Sequence, residues 1–191
     1  MIPVRLLAAC AGLVVLALLA SCGGDDDAAD TASTTPSPTA SPRDFTLCEL
    51  LPPADVQSIT GYAGLIADPH NGPGTLHFCT IYIDVPDCAG QCALSLDDLG
   101  TISENANNTA ELFRQSFEST NPDAEATYSD DVLGDESWLA TVVYPDLPDW
   151  KLLYFQHNGI AYDIGGPRVP GYSPTEEQMI ALGQTVIDNL Q

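Results

Sequence analysis

The side chains with chemistry to offer in this 191-residue chain are three histidines, six cysteines, a series of paired acids and a few scattered bases. His70 and His77 flank Asn71-Gly72-Pro73-Gly74, with Asp68 close by. Those three supply metal-ligating atoms, but the gap between the histidines crosses glycine and proline, so nothing holds both rings on one face. They read as exposed loop-edge residues. The acids come as Asp97-Asp98, Asp130-Asp131, Asp135-Glu136 and Asp146/Asp149. Oxygen ligands suit calcium, yet an EF-hand needs alternating ligands, a central glycine and a closing glutamate, and no segment has that order. Solvated acidity is the simpler reading, and no metal or other cofactor is expected. Carboxylates such as Asp130, Asp131 and Asp135 are also the material of acid–base hydrolysis, provided a pocket gathers them with raised pKa values. Arg168, in Gly165-Gly166-Pro167-Arg168-Val169-Pro170-Gly171, is a candidate for holding an anionic ligand. A cation so placed more often neutralises nearby acids. There is no Gly-x-Ser-x-Gly elbow, no His-Glu-x-x-His, no phosphate loop and no dinucleotide fingerprint. No catalytic residue is assigned, and the chain reads as non-enzymatic.

The cysteines divide by position. Arg5 and the α-amino group open the chain, followed by an apolar run from Leu6 to Ala20 that ends in Leu19-Ala20-Ser21-Cys22. That run is short for a permanent membrane span but suits the core of a signal peptide. Its last four residues resemble the lipobox of bacterial lipoproteins. The resemblance implies that the Cys22 thiol takes a diacylglyceryl group and becomes the new N-terminus, so Cys10 leaves with residues 1–21. Two acyl chains give the stable anchoring that one chain does not. Four cysteines remain, Cys48, Cys79, Cys88 and Cys92, and an even number in an exported chain reads as two disulfides. Of the three possible connectivities, Cys48–Cys79 with Cys88–Cys92 is favoured, because Gly90 permits the tight turn that the second pair needs.

Charge narrows the partners. The 27 acids against 5 bases give −22, which excludes the basic footprint that nucleic acid requires. Loss of Arg5 leaves 4 bases, so the processed chain carries 4 − 27 = −23. Residues 23–44 (GGDDDAADTASTTPSPTASPRD) lack any large apolar side chain and read as a disordered tether whose Thr/Ser/Pro part has the composition of a glycosylated stalk. From residue 45 onward 22 acids face 3 bases, or −19, so the charge belongs mainly to the head at the end of the tether.

That head must be built from elements the periodicity marks. Leu51 to Gly61 predicts a short helix with a glycine stop. His77 to Val85 alternates strictly, and Cys92 to Asp97 more briefly, as half-buried strands do. Asn108 to about Thr120 predicts an amphipathic helix ended by Asn121-Pro122. Strands follow at Ala124–Tyr128, Trp138–Tyr144, Lys151–Gln156 and Ile160–Ile164, the last two joined by Asn158-Gly159, a strong hairpin signal. Ser173-Pro174-Thr175-Glu176 predicts an N-cap at Ser173 for a final helix with Met179, Leu182, Val186 and Leu190 inward. Short strand connections imply a largely antiparallel sheet packed with helices, an α+β fold in residues 45–191.

Together the lipobox, the tether, Cys48-Glu49-Leu50-Leu51-Pro52-Pro53-Ala54-Asp55-Val56, Gly61, Cys79 heading a strand, and Leu133-Gly134-Asp135-Glu136-Ser137-Trp138 resemble a family of secreted actinobacterial lipoproteins known as a domain of unknown function. The resemblance covers about 145 residues. It supports a Cys48–Cys79 bridge, with Ile81 where an aromatic residue is common and Cys88–Cys92 as an addition. Related envelope lipoproteins are similar to the Mog1/PsbP-like sandwich, a central antiparallel sheet flanked by helices. The family carries no catalytic residues over. The expectation is a monomeric, membrane-anchored, extracytoplasmic module binding a small ligand, a wall polymer or an envelope protein. The alternatives are an acidic-site envelope hydrolase and a regulatory lipoprotein of an envelope-stress or sensor system.

Overall fold

In the computed structural model, residues 46–71, 77–85, 92–134 and 136–191 are described. Seven strands form one sheet in the order β1-β2-β3-β7-β6-β5-β4, and every neighbouring pair is antiparallel. They are β1 (Ile66–Asn71), β2 (His77–Tyr82), β3 (Ala93–Thr101), β4 (Glu125–Asp130), β5 (Ser137–Val143), β6 (Trp150–His157) and β7 (Ile160–Gly165). Two meanders, β1 to β3 and β4 to β7, are therefore joined edge to edge through β3 and β7. The α+β reading with an antiparallel sheet holds.

Helices pack on both faces. On one face α1 (Leu47–Leu50), α2 (Pro53–Thr60) and α4 (Glu176–Asn189) cover the main core, where Leu51, Val56, Met179, Leu182 and Val186 meet Ile81, Leu96, Leu153, Phe155 and Ile164. On the other, α3 (Ala110–Thr120) lays Phe113 and Phe117 against Trp138, Trp150 and Tyr154. Both clusters follow from period-2 strands meeting period-3.6 helices.

Local signals act as their chemistry dictates. Gly61 ends α2 with φ +77°, its N–H bonded to Gln57 O at 2.8 Å. Asn158 and Gly159 both take positive φ, as a tight hairpin turn requires. Two elements depart from expectation. Strand β1 carries Asp68 and Pro69, residues poor in strands, and is tolerated because it lies at the sheet edge. The cap of α4 is Thr175, not Ser173: Thr175 Oγ1 accepts from the Gln178 N–H, and Gln178 Oε1 accepts from the Thr175 N–H. The capping box lies two residues later than its proline suggested.

Cys48 and Cys79 form a disulfide joining α1 to β2, with a Cα–Cα distance of 5.1 Å. Cys88 lies outside the described residues, so the expected Cys88–Cys92 pair does too, as do the signal segment 1–21, Cys22 and the tether. Among the described residues no helix is long and apolar enough to cross a membrane.

Candidate functional site

Strand register places one residue from each strand in a row across the α3 face. Running across from β1, His70 pairs with Phe78, Phe78 with Asp97, Asp97 with Asp163, Asp163 with Tyr154, Tyr154 with Trp138, and Trp138 with Asp130 of β4. Helix α3 covers only one end of that row. Phe113 stacks on both Trp138 and Tyr154, and the Trp138 indole donates to Ala110 O at 3.0 Å. The Tyr154 hydroxyl donates to Asn108 O in the turn before α3 and accepts from Gln156. Further along the row Asp163 is buried, Asp97, Phe78 and His70 are half-buried, and Tyr82 on the same face of β2 is exposed.

Asp97 and Asp163 are opposed across β3 and β7, and their carboxyls are hydrogen-bonded to each other. Such a bond needs a proton on one of them. Burial lifts Asp163 well above the usual carboxylate range, and the neighbouring Asp97 charge lifts it further; it is only 8% exposed. Burial also raises Asp97, offset in part by hydrogen bonds from Asp163 and Ser95. Room for this arrangement depends on Gly165. A Cβ there would come within 2.9 Å of Ser95 Oγ, the hydroxyl that bonds Asp97.

The other acids behave differently. Asp98, next to Asp97, points to the opposite face, where its carboxylate caps the Gly100 N–H at 2.9 Å beside the bulge in β3. Asp130 is paired with Arg114, whose guanidinium also lies over Tyr128 at 4.3 Å. Asp131 takes a positive φ of 58° after β4, and its N–H donates to Ser137 O. Asp135 lies outside the described residues. Among the described residues the carboxylates that come together are thus Asp97 and Asp163, whereas Asp130 pairs with Arg114. Asp163 was not singled out by sequence; its signal is an acid in the middle of the otherwise apolar strand Ile160-Ala161-Tyr162-Asp163-Ile164.

His70 stacks on Phe78 at 4.3 Å and its Nε2 lies 3.3 Å from Asp68 Oδ2. His77 opens β2 on the opposite face, so the two rings are separated by the sheet. Among the described residues no three His, Cys, Asp or Glu side chains converge as a metal site. Arg168 lies over the Trp150 ring at 4.0 Å, with Tyr144 at 5.9 Å. Between α3 and β4 a cleft of about 180 Å³ is lined by Phe117, Glu118, Asn121, Pro122, Ala124 and Ala126, smaller than ordinary ligand pockets.

Comparison with protein-family models, with curated proteins and with solved structures finds no match to this chain.

Proposed function

We propose that this protein is a lipid-anchored extracytoplasmic binding module, and that the sheet face beyond α3 receives a hydroxyl-rich ligand such as a wall polymer. The observation that carries this reading is the Asp97–Asp163 pair, in which the buried Asp163 lies opposite a half-buried, partly accessible Asp97. A carboxyl bonded to a carboxylate offers both a donor and acceptors, which is what ligand hydroxyls need. The His70–Phe78 stack beside it offers ring surface for the apolar face of a sugar. Anchoring rests on Leu19-Ala20-Ser21-Cys22 and the tether after it. The resemblance to the lipoprotein family of unknown function, and to the Mog1/PsbP-like sandwich, agrees with an antiparallel sheet carrying helices on both faces. A Cys88–Cys92 bridge belongs to the same reading, supported by Cys92 being buried immediately before β3.

The test uses full-length protein incubated with insoluble envelope polysaccharide. Asp97→Ala should weaken retention at least about tenfold, while Cys22→Ser releases the protein from membranes without changing retention. Equal retention of wild type and Asp97→Ala would remove this face from the proposal.

One specific observation favours a second reading. Two carboxyls whose environments push apart their protonation are the pattern of acid–base hydrolysis. If the pair is catalytic, Asp97→Asn abolishes release of soluble sugar but leaves retention intact; if it binds, no sugar is released by either form.

A further inference from the structure

Arg168 is held differently from the other bases among the described residues. Arg114 pairs with Asp130, and Lys151 Nζ lies 3.3 Å from Thr141 Oγ1. Arg168 is held by the rings of Trp150 and Tyr144 rather than by a carboxylate, in a segment carrying 22 acids from residue 45 onward.

The loop that delivers it is pinned on both sides. Before it, the Gly166 N–H donates to Lys151 O at 2.8 Å, and Pro167 is buried. A side chain at Gly166 would lie 3.3 Å from that carbonyl and from Pro174 Cδ, a tight fit that glycine avoids. After it, the Tyr172 N–H closes a turn onto Val169 O, and both residues pack on Tyr62, Ile83 and Cys92. The platform is equally set. Trp150 is 5% exposed, Phe117 meets its ring edge-on, and the Tyr144 hydroxyl donates to Asn121. The Trp150 Nε1–H is buried without an acceptor.

A guanidinium resting on an aromatic face keeps its in-plane N–H donors for another group, and their fork matches a planar carboxylate. The surrounding −19 opposes a polyvalent anion more strongly than a monovalent one. The β5–β6 connection that carries Tyr144 and leads to Trp150 also exposes Leu147, at 44%, beside the site in sequence. We propose that Arg168, on its Trp150–Tyr144 platform, is a binding site for a monovalent carboxylate bearing an apolar body. The site is separate from the Asp97–Asp163 pair and stands or falls independently of it.

The experiment is a titration of ¹⁵N-labelled full-length protein in neutral detergent with hexanoate, acetate and inorganic phosphate. The Trp150 indole N–H and the Arg168 Nε–H report binding. The Trp138 indole N–H, bonded to Ala110 O, reports the fold. Hexanoate should shift both site signals saturably and bind about tenfold more tightly than acetate. Arg168→Gln should abolish the shift with the Trp138 signal unchanged. Arg168→Lys, which keeps the charge but not the fork, should weaken binding at least about tenfold. Absence of a saturable shift, tighter binding of phosphate than of hexanoate, or full affinity in either variant overturns the proposal. Should Arg168→Gln lose the Trp138 signal, the Arg168→Lys comparison decides.

Discussion

Asp163 is the residue on which the chemistry of the paired carboxyls turns. A carboxyl with a folded-state pKa above its unfolded value favours folding most when both forms are protonated. That contribution is fully present below the unfolded pKa and is lost as pH rises through the folded pKa. Asp97 shifts the same way and adds to the trend. The protein should therefore be more stable in mild acid than at neutral pH. Overall acidity pushes in the same direction, so a substitution is needed to isolate the pair. Asp163→Asn keeps a donor for the Asp97 carboxylate and removes the buried group that must ionise as pH rises. It should stabilise the protein at neutral pH relative to wild type and flatten the loss of stability as pH rises above the ordinary carboxylate range, measured by urea unfolding. An unchanged slope would show that the pair does not set the pH dependence of stability.

Among the elements, α4 shows how a clear signal can be read two residues early. Proline at a first helical position and serine before it are a common opening, so Ser173-Pro174 attracts the cap. The reciprocal bonds between Thr175 and Gln178 instead start the helix at Glu176, and Gln178 also reaches Ile59 O at the end of α2. That second contact ties the cap to tertiary packing, which local sequence does not encode. Thr175→Ala should cost about 1 kcal/mol, whereas Ser173→Ala should stay within about 0.5 kcal/mol of wild type in thermal or urea unfolding. The reverse ranking would return the cap to Ser173. Strand β1 was unread for a related reason: Asp68 and Pro69 argue against a strand until the edge position is known. The Asn158-Gly159 hairpin and the alternation of β2 were legible because turn geometry and strand period are local.

For the whole molecule, the Cys48–Cys79 bridge ties α1 to β2 and closes the stretch that contains α2 and β1, across a sequence separation of 31. Replacing both cysteines by alanine should lower stability by about 2–4 kcal/mol in urea, chiefly by freeing the unfolded chain; no change would mean the main core alone holds α1. The sequence by itself determined what depends on composition and neighbours along the chain. Those are the net charge of −22, the antiparallel α+β class, the hairpin, and the favoured Cys48–Cys79 pairing. Only the tertiary structure decided which residues share a face across strands. Asp97 and Asp163 are 66 positions apart in sequence, yet the β3–β7 register sets them opposite each other. Arg168 and Trp150 are brought together in the same way by the return of the loop after β7. Strand order and register arise from long-range packing, so no local period announces them.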